Sequence, residues 1–322
     1  MEIHRSNDLQ IVHLRNKTKN SFFKEISKNK WLYLLTLPGI LFFIVFNYLP
    51  LLGLYIAFTD FNPVKGILGS EFVGLENFKF FFTSNDWILV VVNTLYLNAL
   101  FIITGLIAQV ALAIALSEIA GKWFKRVMQT FIFLPNFISW TVVAIMSIAL
   151  FATDEGLINK LLVTFGMSKI NFYQEPAVWP LLLVLLRIWK GVGFGSVIYL
   201  ASIMNIDQEL YEAAKIDGAT KLQSIFKITV PMLKTTMVML TILAVGGIFY
   251  GDMGMIYALV GDNPMIRSTT DVIDTYVYRA LRLNNDIGMS SAVGLFQSVV
   301  GFLMVVGANL ATRKIDKDSA IF

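Results

Sequence analysis

Six long apolar runs restrict this chain to one kind of solvent. They cover about residues 31–58, 87–116, 127–151, 178–203, 232–257 and 288–311, and each is long enough to cross a hydrocarbon core of about 30 Å. A soluble domain carries about a quarter of its residues as Asp, Glu, Lys or Arg. Here the share is 15% of 322 residues, with a mean hydropathy of +0.68. In lipid a helix satisfies its own backbone groups. The expected fold is therefore an all-α membrane protein with six transmembrane helices and both termini on one side. The expected division is a basic N-terminal tail 1–30, a six-helix region 31–311 that includes loop 204–231, and a tail 312–322. The first run follows its basic tail in the order of a signal peptide, but it is too long and lacks a small-x-small cleavage site. It reads as an uncleaved anchor.

Charge assigns the sides. The N-terminal tail, loop 117–126, loop 204–231 with Lys234, and the C-terminus hold 17 of the 26 Lys and Arg, whereas the three opposite loops hold 7. Acidic residues divide 10 to 12. Basic residues concentrate on the cytoplasmic side of membrane proteins, so the termini and loop 204–231 are expected in the cytoplasm. The net charge of +4 follows from this topology, and no nucleic-acid partner is expected.

Absences narrow the chemistry. Without cysteine there are no disulfides, thiolate metal sites or cysteine nucleophiles. The only histidines, His4 and His13, lie in the N-terminal tail, which excludes imidazole chemistry inside the bundle. The Gly121–Lys122 pair is followed by Trp123, so a P-loop is missing. Any nucleotide energy must come from another chain.

The loop between the fourth and fifth runs has clear helix punctuation. Asp207 can cap a helix whose inner face is Leu210, Ala213 and Ala214, with Gly218 ending it. Thr220 and Gln223 form a capping box for a second helix through Ile225, Phe226 and Ile228, and Pro231 stands where the fifth run begins. Small residues at Ala213, Ala214, Gly218 and Ala219 let another surface approach the backbone, while Glu212, Lys215 and Asp217 can orient it. Spacing alone fits a docking elbow and an ordinary connector equally well.

The run Glu212-Ala213-Ala214, then Gly218, Ile228 and Pro231, resembles the EAA loop of binding-protein-dependent ABC importer permeases. Asp217-Gly218-Ala219 is similar to the sugar-uptake branch, and Val230 stands where that family usually has Leu. The resemblance to maltose-type permeases covers spans two to six. Segments Asp60–Phe78 and Thr269–Gln297 look like the branch that imports complex or uronate-containing oligosaccharides. The resemblance implies a type I ABC importer permease in the bacterial plasma membrane, surrounded by membrane lipid. It implies a second homologous permease, two cytoplasmic ATPases carrying ATP and Mg, an extracellular solute-binding protein and an oligosaccharide substrate. This chain would bind no cofactor and catalyse nothing itself. Glu212, Ala213, Ala214, Asp217 and Gly218 would form the coupling helix seated in an ATPase.

Two cations stand inside the fourth run. Arg187 and Lys190 are three residues apart and therefore on one helical face, at a depth where charge must face the bundle interior, water or an acidic partner. Gly191, Gly193 and Gly195 follow, and Gly-interrupted spans near the midplane point to transporter substrate sites. By position in the maltose-type permease, Arg187, Lys190, Gly191 and Phe194 in span four and Gly247, Ile248 and Gly251 in span five would contact sugar, with Tyr250 adjoining. The paired cations favour an acidic sugar. The other reading pairs them structurally with Asp252 or with carboxylates of a second subunit.

The polar residues Asn93, Asn98, Gln109, Asn136, Ser139, Gln297 and Asn309 are expected to make interhelical hydrogen bonds. Beyond the apolar runs, Asp60–Pro63 and the glycines at 66, 69 and 74 form turns, and 269–283 has the spacing of an amphipathic helix that caps the bundle or touches a delivery protein. A secondary, ion-coupled transporter or channel is the alternative. It would need acidic residues well inside the spans, and Asp252 near one end is almost alone there.

Overall fold

The computed structural model describes residues 28–315 and Ala320. Most of the expected tails 1–30 and 312–322, with His4 and His13, lie outside the described residues. The chain divides into two compact units, Met1–Tyr55 and Ile56–Phe322. In the first, helix α1 (Lys30–Phe43) contains Pro38, has no buried residue, and continues through a widened turn at Ile44–Tyr48.

The second unit opens on an antiparallel hairpin, β1 (Thr59–Asp60) with β2 (Glu71–Phe72), in which Thr59 faces Phe72 and Asp60 faces Glu71. Gly66 (φ 72°) and Gly74 (φ 63°) supply the left-handed turns on either side of β2. The helices then follow as α2 (Glu76–Thr83), α3 (Trp87–Ser117), α4 (Lys122–Phe133), α5 (Trp140–Phe151), α6 (Leu157–Thr164), α7 (Trp179–Met204), α8 (Gln208–Ile216), α9 (Lys221–Ser224), α10 (Lys234–Gly246), α11 (Met253–Val260), α12 (Ile273–Asn284) and α13 (Ile287–Ile315). Shorter turns of helix lie between them.

Among the described residues, four helical stretches are long and apolar enough to cross a membrane, and two bent helix pairs bring the number to six if each pair is one span. The run expected at 127–151 is one of these pairs, bent by 95°. Pro135 stands in the 3-10 turn Leu134–Phe137, and Ser139 restarts the chain as α5 by accepting from the Val142 amide at 3.3 Å. The run expected at 232–257 stops at Gly246 and resumes as the separate helix α11. Its freed carbonyls find partners on other helices, which is what lets a helix break inside a bilayer. The amphipathic helix expected over 269–283 begins at Ile273 instead, after the short turn Arg267–Thr270.

Helices α3 and α7 make the most extensive helix pair, and glycines let α3 and α4 come close to α7. A Cβ on Gly195 would come within 2.4 Å of the Gln109 side chain, and one on Gly193 within 2.3 Å of the Ile132 carbonyl oxygen. Apolar side chains fill the rest in three clusters. The largest joins Leu97, Phe101, Trp179, Leu183 and Met255; another gathers Phe81, Val90, Ile273 and Met289; the third holds Ala113, Leu116, Tyr199 and Leu233.

Candidate functional site

Where α10 ends, the chain runs through Gly247–Asp252 without helix, and this break forms one wall of a cavity of about 620 Å³. Side chains from three helices satisfy the break. Asn98 on α3 reaches the carbonyls of Ile248 and Tyr250, both at 3.0 Å, and Gln297 on α13 donates to the Phe249 carbonyl at 2.7 Å. From α12, Asp274 Oδ2 accepts the Gly251 amide at 2.6 Å and the Gln297 amide at 3.0 Å. Gly251 has no room for a side chain there, since a Cβ would meet Val272 Cγ2 at 2.4 Å. Burial pushes the Asp274 carboxyl above its ordinary range, against the pull of these two donors.

Six of the eight residues expected at a substrate site line the cavity together: Arg187, Lys190, Gly191, Gly247, Tyr250 and Gly251. Phe194 and Ile248 are not in its wall. Phe194 lies between the two packing glycines of α7 and is 65% exposed, while Ile248 packs among the aromatic residues beside α12. Of the glycine series in α7, only Gly191 opens on free space; Gly193 and Gly195 serve helix packing.

The two cations are held differently. Arg187 Nη1 donates to Asp252 Oδ2 at 3.0 Å, and its guanidinium lies 4.7 Å from the Phe101 ring centroid. The other Asp252 oxygen accepts the Met255 amide at 3.1 Å and so caps α11. Lys190 Nζ donates to the Asn136 carbonyl at 2.8 Å, in the bend between α4 and α5, and lies 5.4 Å from the Trp140 ring centroid.

Several cavity residues were not assigned to the site from sequence: Asn98, Phe101, Gln109, Asn136 and Trp140. A usable signal was present. Asn93, Thr94 and Asn98, with Thr104 and Gln109 further along, are polar positions on the largely apolar α3, where Asn93 holds the Asp271 carbonyl at 3.0 Å and Thr94 accepts the Ile273 amide at 2.9 Å. The expected interhelical roles of Asn93, Asn98 and Gln297 are what these bonds describe.

At the other end of α10 the elbow has its own local anchors. Asp207 accepts the Glu209 amide at 3.0 Å, and Thr220 and Gln223 form a reciprocal capping box. Gly218, at φ 78°, turns the chain between α8 and α9. Tyr211 and Thr229 hydroxyls meet at 2.9 Å and tie the two arms. No residue of α8 is buried, and Ile216, Leu222 and Phe226 are exposed. Glu212, Ala213, Ala214, Asp217 and Gly218 all lie on this projection, Ala214 half-buried and the others exposed. Among the described residues, no group of His, Cys, Asp and Glu is arranged to hold a metal.

Comparison with known proteins places these features in a family. The family described as "Binding-protein-dependent transport system inner membrane component" matches residues 102–317. Protein LplB of Bacillus subtilis (strain 168) is 38% identical over 298 residues, 92% of this chain and 93% of that one. The polygalacturonan/rhamnogalacturonan transport system permease protein YteP of the same strain is 39% identical over 308 residues, 96% of this chain and 95% of that one. Among solved structures, a chain of a bacterial alginate ABC transporter, in complex with alginate pentasaccharide-bound periplasmic protein, superposes with a TM-score of 0.83 at 32% identity. It covers 92% of this chain and 98% of that one.

Proposed function

Because the chain belongs to the binding-protein-dependent transport system inner membrane components, we propose that it is the permease subunit of an ATP-driven importer of uronate-containing oligosaccharides. The observation that carries this reading is the position of α10. Thirteen residues long, and so about 20 Å, it joins the exposed elbow at one end to the cavity-lining break at the other. In this reading two cytoplasmic ATPases, which carry ATP and Mg, grip Glu212, Ala213, Ala214, Asp217 and Gly218. Their closure moves α8 and α9, α10 carries the displacement, and Gly247–Gly251 shifts against Lys190 and Gly191. An extracellular solute-binding protein delivers the sugar, and a second homologous permease completes the path through the plasma membrane. Tyr250 and Trp140 offer ring faces to pyranose C–H surfaces, and the net positive cavity wall answers uronate carboxylates.

The acidic substrate class is supported by the two basic side chains at the cavity and by what the relatives' names say they carry. Ion-coupled transport is the weaker reading, since Asp252, the acidic residue at the cavity, is already engaged by Arg187. The test is purification from native membranes followed by reconstitution in liposomes. An ATPase and a solute-binding protein should co-purify, and uptake of an oligogalacturonate should require ATP. Uptake driven by an ion gradient without ATP would refute the proposal.

A further inference from the structure

We infer that Arg187 and Lys190 have separate tasks: Lys190 reads the substrate's carboxylate, and Arg187 is a positioning residue that fixes the break against α7. This division rests on the functional reading above and refines its substrate site. The charged groups at the cavity wall are Arg187, Lys190 and Asp252. Arg187 and Asp252 match one to one, and each is further fixed, Arg187 on the Phe101 face and Asp252 as the cap of α11. A guanidinium so engaged is a strut between mid-α7 and the end of the break. Its charge is already balanced by Asp252, so a substrate carboxylate meets a neutral pair there and not a free cation, and displacing Asp252 would leave that carboxylate without its ion partner in a partly dehydrated site.

Lys190 differs in kind. An ammonium has three donors; one goes to the Asn136 carbonyl, and among the described residues no carboxylate lies within 4.0 Å of its nitrogen. A carbonyl accepts a proton without cancelling the charge, so the described wall carries one positive charge without its own counter-ion. The adjoining Gly191 leaves open space, with no atom outside its own stretch of helix within 4 Å of where a Cβ would stand, and the Trp140 ring lies 5.4 Å from the ammonium. A carboxylate on a pyranose ring is the ligand that this combination of bare ammonium, open floor and aromatic side fits.

The experiment uses the whole complex with its solute-binding protein in ATP-loaded liposomes, given an oligogalacturonate and its fully methyl-esterified, neutral counterpart. Each variant is scored by its uptake of acid and of ester relative to the unaltered complex, so that selection by the binding protein cancels. Lys190→Gln should cut acid uptake about tenfold more than ester uptake, the lower range for a hydrogen bond between charged groups. Lys190→Arg should restore the ratio. Arg187→Gln should lower both substrates alike. Asp252→Asn should raise the acid preference, because it releases a second cation into the cavity. Equal loss of acid and ester in Lys190→Gln, or a selective loss of acid in Arg187→Gln, would overturn the division. Equilibrium binding of the same two sugars to the detergent-solubilised complex, without the binding protein, gives the same ratio for any variant that assembles but does not transport. If the unaltered complex carries neither sugar, the functional reading itself fails, a result distinct from either outcome above.

Discussion

The elbow at Asp207–Pro231 and the break at Gly247–Asp252 interrupt the helices on either side of α10, yet they are stabilised in opposite ways. The elbow is held mainly by local bonds: Asp207 accepts the Glu209 amide and Thr220 and Gln223 close on each other, with one exposed ion pair from Lys221 to Glu118 beyond α3. The break depends on distant chain, with Asn98, Asp274 and Gln297 reaching it from α3, α12 and α13. The first leaves apolar side chains such as Ile216 exposed; the second encloses a cavity between helices. A locally held projection can be gripped and moved as a body. A break held from these helices, and from α7 through Arg187, changes shape only when they move, which suits a gate.

Substitutions can break or sharpen this contrast. The largest effect is expected from Glu212→Lys, which should abolish ATP-dependent uptake while membrane insertion and the melting temperature of the solubilised protein stay unchanged; Gly218→Trp should abolish uptake too, with a lower melting temperature because its backbone is left-handed. Normal uptake would remove the elbow from the mechanism. Next, Asn98→Leu withdraws the donor from the Ile248 and Tyr250 carbonyls, and a buried polar group without its partner costs about 1–3 kcal/mol. Denaturant unfolding should show that loss together with reduced transport, and an unaltered midpoint would mean that water takes over the carbonyls. Thr220→Ala should cost about 1 kcal/mol, as caps do, and leave the cavity intact by substrate binding.

The smallest effect is a slope with pH. The folded-state pKa of Asp274 is raised by burial from its ordinary 3.8. The stabilisation from the protonated carboxyl is therefore complete below that ordinary value and is lost as pH rises through the raised one. Across that window stability should fall with rising pH, and Asp274→Asn should flatten the curve. An identical pH dependence in both proteins would show that the Asp274 carboxyl has no such shift.

The same contrast explains what the sequence reveals. The elbow was legible because helix caps act over three residues: Asp207, Gly218, Thr220 and Gln223 announce it without reference to the rest of the chain. The family resemblance rested on the same stretch and agrees with the match over residues 102–317. The break was not legible, because α10, Gly247–Asp252 and α11 read as one apolar run and the groups that interrupt it lie 23 to 152 residues away. The 95° bend between Phe137 and Trp140 was hidden likewise inside a continuous hydrophobic stretch. At the cavity, spacing placed Arg187 and Lys190 on one face, but could not show that Gly193 and Gly195 close against α4 and α3 and leave Phe194 outside.

The most direct test of the elbow as a motor contact uses the chain's lack of cysteine. Ala213→Cys introduces a single thiol on the exposed face of α8. In native membranes it should cross-link to an ATP-hydrolysing subunit, in a yield that changes with nucleotide, and it should resist a membrane-impermeant maleimide applied to intact cells. Labelling from outside, or a thiol that finds no neighbouring chain in the assembled complex, would contradict the proposal.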